Sequence, residues 1–140
     1  MIRKLFFLLT IFTLIFSCKK LRSEEFKKGT FKVTSNDSTT FIIERFNNFQ
    51  LKYNTNFNEF SKIKWVADNA YLKEVINKKN KFDSLTFNVK LDSISKKNFH
   101  YETTYIKEVN LKFTSKLIKT NDSLSDEFIT LIRTHKERAK

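Results

Sequence analysis

Leu85-Thr86-Phe87-Asn88-Val89-Lys90-Leu91-Asp92 alternates apolar and polar residues without a break. A period of two puts Leu85, Phe87, Val89 and Leu91 on one side of an extended chain and Thr86, Asn88, Lys90 and Asp92 on the other. This is the pattern of an antiparallel strand with one buried face, because strands buried on both faces read as continuous apolar runs. Downstream the pattern recurs twice. Phe99, Tyr101, Thr103 and Tyr105 alternate with His100, Glu102 and Thr104, which places His100 on the solvated face. Val109, Leu111, Phe113 and Leu117 then alternate with Asn110, Lys112 and Lys116.

Upstream, Asn47-Asn48 reads as a two-residue hairpin loop, since Asn tolerates the positive φ that a type I′ turn needs at both central positions. The implied register sets Phe46 opposite Phe49, Glu44 opposite Leu51 and Ile42 opposite Tyr53, all on one face, with Arg45 opposite Gln50 on the other. Ile63 and Trp65 point away from Lys62 and Lys64. Asp68-Asn69 precedes a return strand from Tyr71 to Ile76. Asn36-Asp37, Lys78-Lys79-Asn80 and Lys96-Lys97-Asn98 supply further turns in a chain with no Pro and a single Gly, Gly29.

The result is a mainly β chain: an antiparallel up-and-down meander of about eight strands over residues 29–121, joined by loops too short for crossovers. Closure removes both exposed edges of such a meander, which favours a small barrel or half-barrel. Residues 122–140 carry a helix pattern. Ser125 caps it, Asp126 and Glu127 occupy its first turn, Leu124 and Ile129 form a staple, and Phe128, Leu131, Ile132 and His135 make one stripe. That helix is expected to pack on the sheet or plug one end of the barrel.

The first residues have a different character. Arg3 and Lys4 precede an apolar run from Leu5 to Phe16, too short to span a bilayer comfortably, which reads as a secretory signal over residues 1–17. Ile15-Phe16-Ser17-Cys18 resembles the lipobox of bacterial lipoproteins, with Phe16 bulkier than that pattern prefers. The resemblance implies that Cys18, the chain's one cysteine, becomes the first residue and carries a diacylglycerol thioether, leaving no thiol for a disulfide. Residues 18–28 are then an acylated N-terminus and spacer, and Lys19-Lys20-Leu21-Arg22 either supplies a second, electrostatic membrane contact or is only spacer. The implied partner is the membrane.

The chain carries 27 Lys and Arg against 15 Asp and Glu, a net charge of +12. For an exported, tethered protein this basic balance points to phospholipid headgroups, with the compositional bias of an AT-rich genome as the competing explanation; a nucleic-acid partner is not expected. Catalytic patterns are missing. One glycine is too few for a phosphate-cradling loop or a glycine-flanked nucleophilic serine. His100 and His135 do not form a ligand pair, so neither a metal nor a cofactor is expected.

Glu44 is the exception that invites a site. Its register places a carboxylate among Ile42, Phe46, Leu51 and Tyr53, where an unpaired charge is costly. Either a bulge or one-residue slip turns it outward, exchanging it with the Arg45/Gln50 face, or it is the polar anchor of a ligand cavity shared with Tyr53, Trp65 and Tyr71. The slip is the simpler expectation. The twelve Phe beyond the leader either fill a core or line an apolar pocket.

Lys28-Gly29-Thr30-Phe31-Lys32 resembles the opening of lipocalin-like domains. With Ile43-Glu44-Arg45, Gln50, Lys64-Trp65-Val66 and Tyr71-Leu72, residues 26–120 resemble a family of small lipoproteins from flavobacteria and relatives that often carry the label DNA topoisomerase IV. Members often have a cysteine shortly before the tyrosine that follows the tryptophan; this chain has Asn69-Ala70 there. The resemblance implies fold and location but no catalytic residue, and an exported chain of this size has no room for a topoisomerase. This chain also lacks the acidic stretch that surface-displayed lipoproteins of such bacteria carry after the cysteine, which implies an outer-membrane position facing the periplasm. The expected function is a non-enzymatic envelope binding or structural module contacting an envelope protein, or alternatively a lipocalin-like carrier of an apolar small molecule or lipid.

Overall fold

The computed structural model describes residues 24–94 and 99–139. Eight strands follow one another as β1 (Gly29–Ser35), β2 (Thr40–Phe46), β3 (Phe49–Asn54), β4 (Phe57–Ala67), β5 (Ala70–Val75), β6 (Phe87–Ile94), β7 (Phe99–Ile106) and β8 (Leu111–Asn121), and helix α1 (Asp126–Arg138) ends the chain. Each strand pairs antiparallel with its neighbours in sequence, and β8 returns to β1, so the meander is a closed barrel. The signal, the lipobox with Cys18, the basic tract after it and the Lys96-Lys97-Asn98 turn lie outside the described residues.

Closure depends on the one glycine. Gly29 has φ +117, and a Cβ there would lie 2.7 Å from the Asn121 carbonyl oxygen and 2.9 Å from Lys119 Cε. Only a residue without a side chain fits both that backbone conformation and that approach. The register between β1 and β8 shifts at Thr30/Phe31, directly after it. Thr120 Oγ1 donates to the Thr30 carbonyl at 2.9 Å, and Thr30 Oγ1 donates to the Ser123 carbonyl at 2.6 Å.

Because strand directions alternate, the turns after β2 and β4 share one end of the barrel with the chain's entry into β1. The turns after β1, β3, β5 and β7 share the other. The entry end is filled. Phe26 is 6 % exposed and packs with Phe31, Val33, Ile43, Leu91 and Leu117, and the His100 ring meets its edge at 4.1 Å. Mid-barrel, Ile63, Tyr71, Val75, Phe87, Val89 and Ile106 form a second cluster. The third lies outside the barrel, where Phe128 and Ile132 of α1 cover Phe49, Leu51 and Phe60. His135 completes that stripe, its ring 5.5 Å from Phe49 and 6.2 Å from Phe60.

Three local expectations need correction. The Asn47-Asn48 loop joins Phe46 to Phe49 as expected, but only Asn47, at φ 54, has positive φ, so the turn is not type I′. In β7 the faces are exchanged: Glu102, Thr104 and Ile106 are buried while Tyr101 and Tyr105 are each 38 % exposed. His100 accordingly faces Phe26 and not solvent. The reason is a buried cation that requires Glu102, described below. In β8 the alternation holds, but of its apolar residues Val109, Leu111, Phe113 and Leu117 only Leu117 is buried, with Ser115 beside it; Leu111 and Phe113 stay exposed at the far rim, and Val109 belongs to the 3₁₀ turn Lys107–Val109 that precedes the strand.

Candidate functional site

β2 and β3 pair without a slip: Glu44 faces Leu51 and Arg45 faces Gln50. The slip expected for Glu44 is therefore absent, and the burial of its face has another cause. The face bearing Glu44 is the outside of the barrel, and α1 covers it. There the carboxylate is fully used. Tyr53 Oη donates to Oε1 at 2.9 Å, and the Ser125 backbone N–H and Oγ donate to Oε2 at 2.8 and 3.0 Å. Ser125 Oγ in turn accepts from Phe128 N–H at 3.2 Å, which caps α1. Glu44 thus sits at the positive end of the helix dipole and holds the helix on the wall. Burial, followed by the Glu44 contact, pushes the Tyr53 phenol up to about 12.

The four residues proposed as a ligand constellation are divided by the wall of the barrel. Glu44 and Tyr53 lie outside, under α1. Trp65 and Tyr71 lie inside, ring centroids 4.9 Å apart. The Trp65 Nε1–H is buried without a hydrogen-bond partner among the described residues.

Inside, Arg45 is 0 % exposed. Its Nε donates to Gln50 Oε1 at 2.8 Å, its Nη2 donates to Tyr71 Oη at 2.7 Å and pairs with Glu102 Oε2, and its guanidinium lies 5.2 Å from the Phe31 ring centroid. Tyr71 Oη is also 3.1 Å from Glu102 Oε2 and 3.2 Å from Gln50 Oε1. Burial works against the Arg45 charge, but the facing Tyr71 and Glu102 more than offset it, so the guanidinium stays charged. Burial pushes the Tyr71 phenol well above its usual value, with Glu102 adding to the effect, so it remains a hydrogen-bond donor. In that state its hydroxyl links Glu102 and Gln50 to the Arg45 guanidinium.

Toward the far end this network forms the floor of a cavity of about 200 Å³. Gln50 and Glu102 belong to the floor. Lys52, Glu59 and Lys73 stand on the sides, and Phe57, Phe82 and Phe113 rim the mouth at 37–43 % exposure. Lys73 Nζ bonds Glu59 Oε1 at 2.6 Å and lies 4.3 Å from the Phe87 ring centroid. The Lys52 amine is 4.2 Å from the Phe41 ring centroid. Burial, and then the neighbouring Lys73 charge, lower its pKa. The connection between β5 and β6 carries Phe82 and Asp83 at the mouth, and Asp83 closes a capping box with Asn80.

None of Glu44, Tyr53, Trp65 and Tyr71 lines this cavity. The polar lining had a sequence signal nonetheless. Lys73 stands in phase between Tyr71 and Val75, and Glu59 is in phase with Ser61, Ile63 and Trp65. A charge at a core position of a strand signals either an ion pair or a lined cavity, and here it signals both.

Among the described residues no cluster of three or more His, Cys, Asp or Glu side chains is placed to hold a metal. No helix among them is long and apolar enough to cross a membrane. No protein-family model, curated protein or solved structure matches the chain.

Proposed function

We propose that this protein is a non-enzymatic lipoprotein of the cell envelope, tethered through acylated Cys18 to the periplasmic face of the outer membrane, whose barrel is a binding module open at one end. The observation that carries the reading is the asymmetry of the barrel. Phe26 fills the barrel at the end where the chain enters, with an open surface hollow beside it among Glu25, His100 and Asp122, whereas the cavity that reaches into the interior as far as Gln50 and Glu102 opens at the opposite end. A tether at the filled end presents the mouth away from the surface that holds it. The likeness to small flavobacterial lipoproteins supports the same address.

The cavity suits a small polar or amphiphilic ligand better than a lipid. An engineered apolar cavity of about 150 Å³ binds benzene, so one of about 200 Å³ takes a molecule little larger and not a long acyl chain. Its charged lining also disfavours a purely hydrocarbon occupant. A second reading, contact with an envelope protein, is favoured by the exposed rim of Phe57, Phe82, Leu111 and Phe113. Rims of aromatic side chains around a concavity are a common recognition surface.

Native mass spectrometry of the protein purified from its own host tests the module. A co-purifying small molecule supports it, and an unoccupied barrel whose cavity binds nothing from a fragment library removes it. For the tether, Cys18→Ser is expected to release the protein from membranes; unchanged fractionation defeats that part.

A further inference from the structure

Resting on the binding-module reading, we infer that the far-end cavity accepts a small monocarboxylate with an aromatic or similarly compact apolar body, and that Lys52 is its counter-ion. The argument begins with charge matching. Glu59 is taken by Lys73 at 2.6 Å, and Glu102 is taken by Arg45. Asp83 at the mouth accepts the backbone N–H groups of Lys79 and Asn80 at 2.7 and 3.1 Å.

Lys52 is the remainder. It forms no ion pair or hydrogen bond among the described residues, only the ring contact with Phe41. Glu59 is its cross-strand neighbour but is turned to Lys73, and Glu102 and Asp37 act on it only at longer range. A partly desolvated ammonium without an acceptor is costly, and an anion brought to it restores what folding removed.

The same surroundings set the charge of the ligand. One cation without an ion-pair partner, beside two carboxylates engaged by Arg45 and Lys73 and a third, Asp83, held at the mouth by neutral backbone N–H groups, favours a single negative charge and repels a dianion such as phosphate. Body shape follows from the rings. Phe82 and Phe87 meet edge-on at 6.3 Å, and with Phe57 and Phe113 they give the upper cavity aromatic sides. A volume of about 200 Å³ admits one six-membered ring with a carboxylate attached.

4-Fluorobenzoate is the probe, read by ¹⁹F NMR line broadening on the full mature protein in detergent. It is expected to bind and to be displaced by benzoate, while 4-fluorobenzamide, of the same shape without the charge, binds ~10-fold or more weakly. Lys52→Met is expected to lose benzoate binding by a similar factor, and Lys52→Arg to keep it. Removing a half-buried cation that has no ion-pair partner is not expected to unfold the barrel, so the Met variant is expected to melt at or above the wild-type temperature. Equal binding of benzoate and benzamide, or of benzoate to wild type and Lys52→Met, overturns the carboxylate assignment and leaves the module standing. Absence of benzoate binding while native mass spectrometry finds another ligand does the same. Failure of both probes together with an empty barrel in native mass spectrometry removes both.

Discussion

Arg45 is the residue on which the interior turns. A fully buried guanidinium is tolerable only when its donors and charge are met, and Gln50, Tyr71 and Glu102 meet them from β3, β5 and β7. One side chain thereby ties four strands. Arg45→Met is expected to cost about 3–5 kcal/mol in urea unfolding because it strands Glu102, and Arg45→Met with Glu102→Leu is expected to recover most of that loss. Full additivity of the two substitutions would show that they do not form one unit. Tyr53 gives a pH prediction. Its folded pKa of about 12 lies above the ordinary value of 10, so its contribution to stability is complete below pH 10 and is lost as pH rises toward 12. Tyr53→Phe is expected to remove that portion of the alkaline decline, and to reduce the late part of the phenolate absorbance rise, to which Tyr71 also contributes, by one phenol.

At the scale of elements, helix α1 stays on the barrel through a relay from Phe128 N–H to Ser125 Oγ and from Ser125 to Glu44. Ser125→Ala is expected to cost about 1 kcal/mol, and Glu44→Gln to weaken the same cap. Because both act on one relay, the double variant should cost less than the sum of the two, measured by chemical denaturation. The elements also mark where local pattern reading succeeds. Strand β6 is legible because its apolar residues Phe87, Val89 and Leu91 are the ones turned inward, so period two reports burial directly even though Lys73, Thr104 and Glu102 are their cross-strand neighbours. Strand β7 is misread because its tyrosines look more apolar than Glu102 and Thr104, yet Glu102 is drawn inward by a cation on β2, 57 residues earlier. Glu44 is correctly placed opposite Leu51, but its burial arises from a helix 81 residues later. Pattern reading weighs a residue against its neighbours in sequence. An ion pair weighs it against a partner in space.

For the whole molecule, the seam between β1 and β8 turns a sheet into a barrel, and it contains Gly29. Gly29→Ala is expected to destabilise by about 1–3 kcal/mol, through strain at positive φ and the approach to Asn121. The loss should concentrate in amide exchange of β1 and β8. An unchanged melting temperature would mean that the seam relaxes freely around the added methyl. The barrel also reconciles two sequence signals that seemed to conflict on β2 and β3. One face is apolar and the other carries Arg45, Gln50 and Lys52, so an isolated sheet would bury the first and solvate the second. In the closed form both faces are buried, the apolar one beneath α1 and the polar one in the interior.

Eight strands, their meander order, the β2–β3 register, the capped C-terminal helix and the absence of crossovers were all determined by the sequence, because period-two patterning, turn residues and capping residues act over a few positions. Which face of each strand became the interior, which charges found partners and where a cavity remained were decided only by the tertiary structure. Those outcomes depend on desolvation and pairing between residues tens of positions apart, and no local pattern encodes the geometry in which Lys52 is left without a carboxylate while Glu59 and Glu102 are taken.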